Sequence, residues 1–218
     1  MRLFAAIVPP REVLKDLTRV VRSATLVDVP AEPRKHLLRH RLGRGEHAAG
    51  RPLTVVVGSP ELDIPPLELM HIPITGFGNV TLGDSGTLAA ALRDEAAAWA
   101  PAQVAIAGGT ALEFPGDTSV WAKLDGDLGA LATIGRGVPL VVQRLGFFVD
   151  RRQFRPWLSV GTITDETTAP YLERLVAALE AYRSTSWTID HVSLMRKPND
   201  ATSNDRFEEM ERMPLAGG

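Results

Sequence analysis

Met70-His71-Ile72-Pro73-Ile74-Thr75 and Phe154-Arg155-Pro156-Trp157-Leu158-Ser159-Val160-Gly161-Thr162 read as two versions of one motif. Each sets a polar or aromatic residue at the head of an apolar strand. Side chains two and four places on then share its face, because successive strand residues point to opposite sides. One version presents an imidazole, His71, and the other presents an indole, Trp157, in the matching place. The difference is chemical: imidazole exchanges protons near neutrality, whereas indole has one N–H donor and no basic nitrogen.

The segments downstream of the two motifs are also alike. After the first come turn residues, a helix over about 87–99 carrying Leu88, Ala91, Leu92, Glu95 and Trp99, and a strand at 103–107. After the second come Thr168 as a helix cap, a helix carrying Leu172, Leu175, Val176, Leu179 and Tyr182, and a strand at 187–195. This succession predicts an internal duplication and two related lobes, with residues 71 and 157 looking into one cleft. A chance succession of strands and helices would look the same without a shared cleft.

The remaining pattern fits between these units. A strand is expected at 2–8, then a helix starting after Pro9-Pro10 with Val13, Leu14, Leu17, Val20 and Val21 at helical spacing. Further strands are expected at 53–58, 110–114, 118–124, 140–148 and 157–163, with a short helix from about 125–127 burying Leu128 and Leu131. After Lys197 the chain is polar with several acidic residues. The expected fold is α+β: a single two-lobed domain over 1–218, each lobe an antiparallel sheet backed by helices, around a central groove. Residues 24–50 stand apart as a basic insertion.

Composition narrows the function classes. The chain has 218 residues, 44% hydrophobic and 23% charged, enough for a sizeable core. Its net charge of −2 gives no global pull toward nucleic acid or membrane. The absence of cysteine excludes disulfides, thiolate metal sites and thiol nucleophiles. The apolar run after Arg2 is too short for a signal peptide, and no stretch approaches a membrane span of roughly 20 apolar residues. A cytoplasmic protein with no membrane partner is expected, and a monomer is favoured.

Two histidines across a cleft suit phosphodiester chemistry: one removes a proton from water or a 2′-hydroxyl, while the other protonates the leaving oxygen. A hydroxyl two residues beyond each can donate to a phosphoryl oxygen. In these motifs the chain resembles the two-histidine phosphoesterase family, in its bacterial RNA 2′,3′-cyclic phosphodiesterase and 2′-5′ RNA ligase branch, which carries two His-x-Thr/Ser motifs. The resemblance extends to the opening Met1-Arg2-Leu3-Phe4-Ala5-Ala6-Ile7-Val8-Pro9-Pro10 and to Phe114-Pro115, Val120-Trp121-Ala122 and Gly146-Phe147. It continues through Arg152-Gln153-Phe154-Arg155-Pro156, residues 187–194, Arg206-Phe207-Glu208 and Met213-Pro214-Leu215. It implies the two-lobed fold and a cleft for a phosphate-containing ligand; no cofactor and no metal are expected.

Of the four groups the resemblance implies, His71 and Ser159 are present. Pro73 stands in place of the first hydroxyl and Trp157 in place of the second histidine. Losing a general acid or base removes typically about 10²–10⁴-fold of rate. Thr75, four residues on and roughly 13 Å along a regular strand, could supply the hydroxyl only if a bulge at Pro73 shortens that distance. Arg152 and Arg155 are candidate phosphate clamps, or simply a solvated strand entrance. Trp157 is either a stacking platform for a nucleobase or core packing in a closed cleft. His191 is the other histidine near the second lobe, and its face is ambiguous.

Residues 34–47 hold five Arg/Lys against Glu46, a net of +4. The block could track phosphates or be a solvated excursion. Histidines 36, 40 and 47 lack the cysteine or helically spaced carboxylate that a metal site would use. The expectation is therefore a divergent phosphoesterase with weak or altered activity, whose partner is a nucleotide or RNA bearing a phosphodiester or cyclic phosphate end. A non-catalytic nucleotide- or RNA-binding groove is the alternative, and a vestigial groove on a partner-binding protein is the third.

Overall fold

The computed structural model describes residues 1–24, 61–150, 152–197 and 207–217. The expected strand at 53–58 and the basic block at 34–47 lie outside the described residues. Two antiparallel sheets build the fold. The first runs, in spatial order, β3 (Ile72–Asn79), β1 (Arg2–Ile7), β8 (His191–Lys197) and β9 (Glu208–Pro214). The second runs β2 (Leu62–Asp63), β6 (Trp157–Ile163), β5 (Ser119–Gly126), β4 (Ala102–Ala111) and β7 (Trp187–Ile189).

Each sheet carries a helix pair. Helices α2 (Leu82–Ala96) and α3 (Leu128–Arg144) pack on one another, α2 against β8 and β9 and α3 against β3. Helix α4 (Ala169–Ala181) lies on β4, and α1 (Arg11–Ser23) packs on α4. The exchange is reciprocal: α1 follows a strand of the first sheet but serves the second lobe, and α3 does the converse. Two interlocked, pseudo-symmetric lobes result, and their buried residues form one continuous apolar core. The motif strands β3 and β6 meet where the lobes adjoin.

Several elements lie where the periodicity predicts. Helix α1 buries Val13, Leu14, Leu17 and Val21, one face at helical spacing. Strand β6 and helix α4 begin at Trp157 and just after Thr168, whose hydroxyl accepts the Tyr171 N–H at 3.3 Å.

Other elements differ from expectation for identifiable reasons. Helix α2 starts five residues early, because Thr81 accepts the Asp84 N–H at 3.1 Å and donates to Asp84 Oδ2 at 2.6 Å. The residues that look like a turn, Gly83-Asp84-Ser85-Gly86, are therefore its capped first turn. The strand expected at 140–148 is instead the second half of α3 and the loop after it. Leu131, Ile134, Val138, Val141 and Val142 are buried at three- and four-residue intervals, a helical stripe that the β-branched composition conceals. Strands expected at 103–107 and 110–114 are one strand, β4, bulged at Ala107-Gly108. Gly109 lets α4 press onto the sheet, since a Cβ there would lie 2.5 Å from Leu179 Cβ. The strand expected at 187–195 is two strands, and the chain changes sheets at Asp190. Within the polar tail, residues 208–214 pair with β8 as the edge strand β9.

Candidate functional site

His71 stands immediately before β3, at the exit of a single 3₁₀ turn, Leu67–Leu69. Its Nδ1 is 2.8 Å from the Leu69 carbonyl oxygen. A carbonyl only accepts, so Nδ1 carries the proton and Nε2 keeps its lone pair. The ring packs against Phe4 at 5.1 Å and edge-on to Phe207 at 5.0 Å between centroids. Burial among these rings holds the His71 pKa below the usual 6.5, with the Leu69 bond opposing in part. At neutral pH this is an unprotonated base.

The consequence for stability has a definite sign. The unfolded chain takes up this proton first, so the buried neutral ring contributes stability above pH 6.5 that is lost as pH falls below it. An NMR titration of the His71 ring is expected to give a midpoint below 6.5. A midpoint at or above the ordinary value would contradict the buried setting.

The face shared by His71, Pro73 and Thr75 is interrupted. Ala6 pairs with Pro73 and Ala5 with Thr75, so Ile74 is an extra residue bulged out of register. Thr75 is consequently buried beside Ile72 and Ile74, and its hydroxyl donates to the Asp150 carbonyl at 3.1 Å. The bulge that Thr75 would need is present, but the hydroxyl proton is already engaged.

The opposite wall comes from β5, β6 and the loops before them. Residues 119, 121 and 123 of β5 alternate with buried Val120, Ala122 and Leu124, so Trp121 and Lys123 leave the core face. Trp157 pairs with Lys123 across the strands and Ser159 with Trp121 in the same register, which slips only beyond them, between Trp121 and Val120. Trp121 contacts two rings, 6.5 Å from Phe114 and 6.3 Å from Trp157 between centroids. Its indole N–H donates to Asp117 Oδ2 at 2.8 Å, which fixes the ring. The Arg155 guanidinium stands over Phe114 at 5.0 Å and over Trp157 at 4.7 Å, and the Lys123 ammonium stands 5.8 Å from Trp157.

Both walls face one open cavity of about 830 Å³. Of the residues singled out from sequence, His71, Thr75, Arg152, Arg155 and Trp157 line it, whereas Ser159 lies on β6 outside the lining. Arg152 extends into solvent and pairs loosely with Asp150 at 3.4 Å. His191 belongs elsewhere: it lines a separate cavity of about 470 Å³ with Trp187, and its Nδ1 is 2.5 Å from Asp190 Oδ1. Sequence reasoning did not select Phe4, Asp117, Trp121, Lys197 or Phe207 as site residues. For Trp121 a signal existed, since alternation from buried Val120 and Ala122 turns it off the core. Phe4 and Phe207 are far from His71 in sequence and meet it only through the β3-β1-β8-β9 order.

This arrangement offers aromatic surface for a planar group, cations for an anionic one, and one neutral imidazole for a proton. No family model and no curated protein sequence matches the chain. Solved structures do. E. coli LigT complexed with 3′-AMP superposes with a TM-score of 0.67 at 13% identity, over 98% of this chain and 97% of that one. The chain has the LigT fold. TT0787 of Thermus thermophilus superposes at a TM-score of 0.65 and 15% identity, over 100% of this chain and 99% of that one. A structure described as a phosphoesterase gives 0.64 at 15%, over 99% and 98%. Other LigT structures were solved with NADP+, ATP and phosphate. At these identities the likeness to LigT speaks to architecture, and it matches the two-lobed fold implied by the motif resemblance. As for membranes, no helix among the described residues is long and apolar enough to cross one.

Proposed function

We propose that this protein is a divergent two-histidine phosphoesterase whose cavity binds a nucleotide or RNA end carrying a phosphodiester or 2′,3′-cyclic phosphate, and whose turnover is slow. The observation that carries the reading is one cavity with a neutral imidazole on one wall and an indole–guanidinium stack on the other. LigT, which shares the fold, was solved with 3′-AMP and with phosphate, which supports a nucleotide-type ligand in this groove.

The chemistry follows from the groups present. His71 Nε2 takes a proton from water as its oxygen forms a bond to phosphorus. The P–O bond to the 2′- or 3′-oxygen breaks, and that oxygen needs a proton. Trp157 cannot give one. The cavity carboxylates are engaged, Asp117 with the Trp121 indole and Asp150 with Arg152. The leaving oxygen therefore draws its proton from solvent, and the reaction loses the general-acid contribution of about 10²–10⁴-fold. Arg152 and Arg155 supply charge for the phosphate oxygens. The +4 charge of residues 34–47 favours a polynucleotide over a free mononucleotide as the larger ligand.

A second reading, a binding protein without turnover, is favoured by the occupation of the second-histidine position by an indole. The two separate with 2′,3′-cyclic AMP. Slow hydrolysis by wild type that falls to background in His71→Ala supports the enzyme. Saturable binding with no hydrolysis supports the binding protein. Absence of binding overturns both.

A further inference from the structure

We propose that the space between Phe114 and Trp157 is the nucleobase subsite of this cavity, and that Arg155 fills it until a nucleotide arrives. The inference rests on the nucleotide-binding reading above and assigns the part of the ligand that each wall receives. A guanidinium is planar, as a base is, and it lies over both rings at once, 5.0 Å from one centroid and 4.7 Å from the other. Trp121 backs the slot, tilted against both rings and pinned through its indole N–H to Asp117, so the slot is formed in advance.

Arg155 is held there weakly. It is an exposed residue, and its ring contacts hold it with no ion pair to another of the described residues. Two exposed cation–π contacts together are worth about five- to thirty-fold in population. A stacked base is worth about five- to a hundred-fold, a comparable or greater gain on the same faces. The displaced guanidinium then has an anion within reach, the phosphate of the same ligand, and planar Arg–phosphate pairing replaces the ring contacts. One residue thus exchanges a stacking role for a phosphate role, and the chain's own cation shields the aromatic slot in the empty protein.

Calorimetric titration with adenosine, which has the base but no phosphate, isolates the slot. With the competitor removed, Arg155→Ala is expected to bind adenosine about five- to thirty-fold more tightly than wild type. Phe114→Ala is expected to lose up to about a hundred-fold, and the double variant to gain only about two- to five-fold over Phe114→Ala, because there Arg155 covers Trp157 alone. Equal or weaker adenosine binding by Arg155→Ala would overturn the proposal, as would an unchanged affinity in Phe114→Ala. A parallel titration with 2′,3′-cyclic AMP separates the two levels. Wild-type binding of the cyclic nucleotide without the adenosine gain removes only the subsite assignment. No binding of the cyclic nucleotide by any variant removes the nucleotide reading and the subsite together.

Discussion

Trp157→His is expected to raise hydrolysis of a 2′,3′-cyclic nucleotide at least about 10²-fold above wild type, within the 10²–10⁴-fold range of a general acid. The substitution sits at the head of β6, in the cavity that His71 lines from the other lobe. A protonated imidazole there gives the leaving oxygen the proton that an indole cannot. The lower end of the range is expected, because Pro73 supplies no hydroxyl and Ser159 lies outside the cavity lining. The gain should vanish in the His71→Ala/Trp157→His double variant, which removes the base while keeping the new acid. An inactive single variant that still binds nucleotide would mean that position 157 does not address the phosphate.

The greatest loss of stability is expected at Gly126→Ala, about 3–5 kcal/mol, combining backbone strain with overpacking. Gly126 ends β5 with φ +124°, a region that L side chains rarely enter. A Cβ there would stand 2.3 Å from the Gln103 carbonyl oxygen and 3.0 Å from Val104 Cα, both backbone atoms of β4. Neither can rotate away. The same junction is clamped by Asp127, whose N–H donates to the Gln103 carbonyl and whose carboxylate accepts the Gln103 N–H, each at 2.9 Å. Moving β4 aside therefore breaks the turn that launches α3. Urea denaturation measures this loss, and a change below about 1 kcal/mol would contradict the tight β4–β5 approach.

Residue patterns carried the architecture further than they carried the site. Strand β6, helix α1 and helix α4 were legible because each has one unambiguous apolar period and a boundary residue, as Thr168 does. Helix α3 was not, because Val138, Val141 and Val142 favour strands by composition while their spacing is helical, and Pro139 interrupts the reading. The split of 187–195 at Asp190 depends on two sheets competing for one extended segment, which no local signal records. At the site, motif order alone pointed to residues 71 and 157, and both line the cavity. The bulge that shifts the register between Pro73 and Thr75 arises from pairing with β1, and the Phe114–Arg155–Trp157 arrangement arises from the β5–β6 register. Both are tertiary facts. Ser159 illustrates the limit: alternation sets its phase with Trp157, but the depth of the cavity decides what reaches it.

Whether His71 and Trp157 address one ligand can be read from a single NMR titration with 2′-AMP, following histidine ring and tryptophan indole signals together. His71 and Trp157 are expected to shift with a common dissociation constant, while Trp187 and His191, in the separate cavity, stay still. Shifts at Trp187 and His191 instead, or at only one of His71 and Trp157, would refute a shared site.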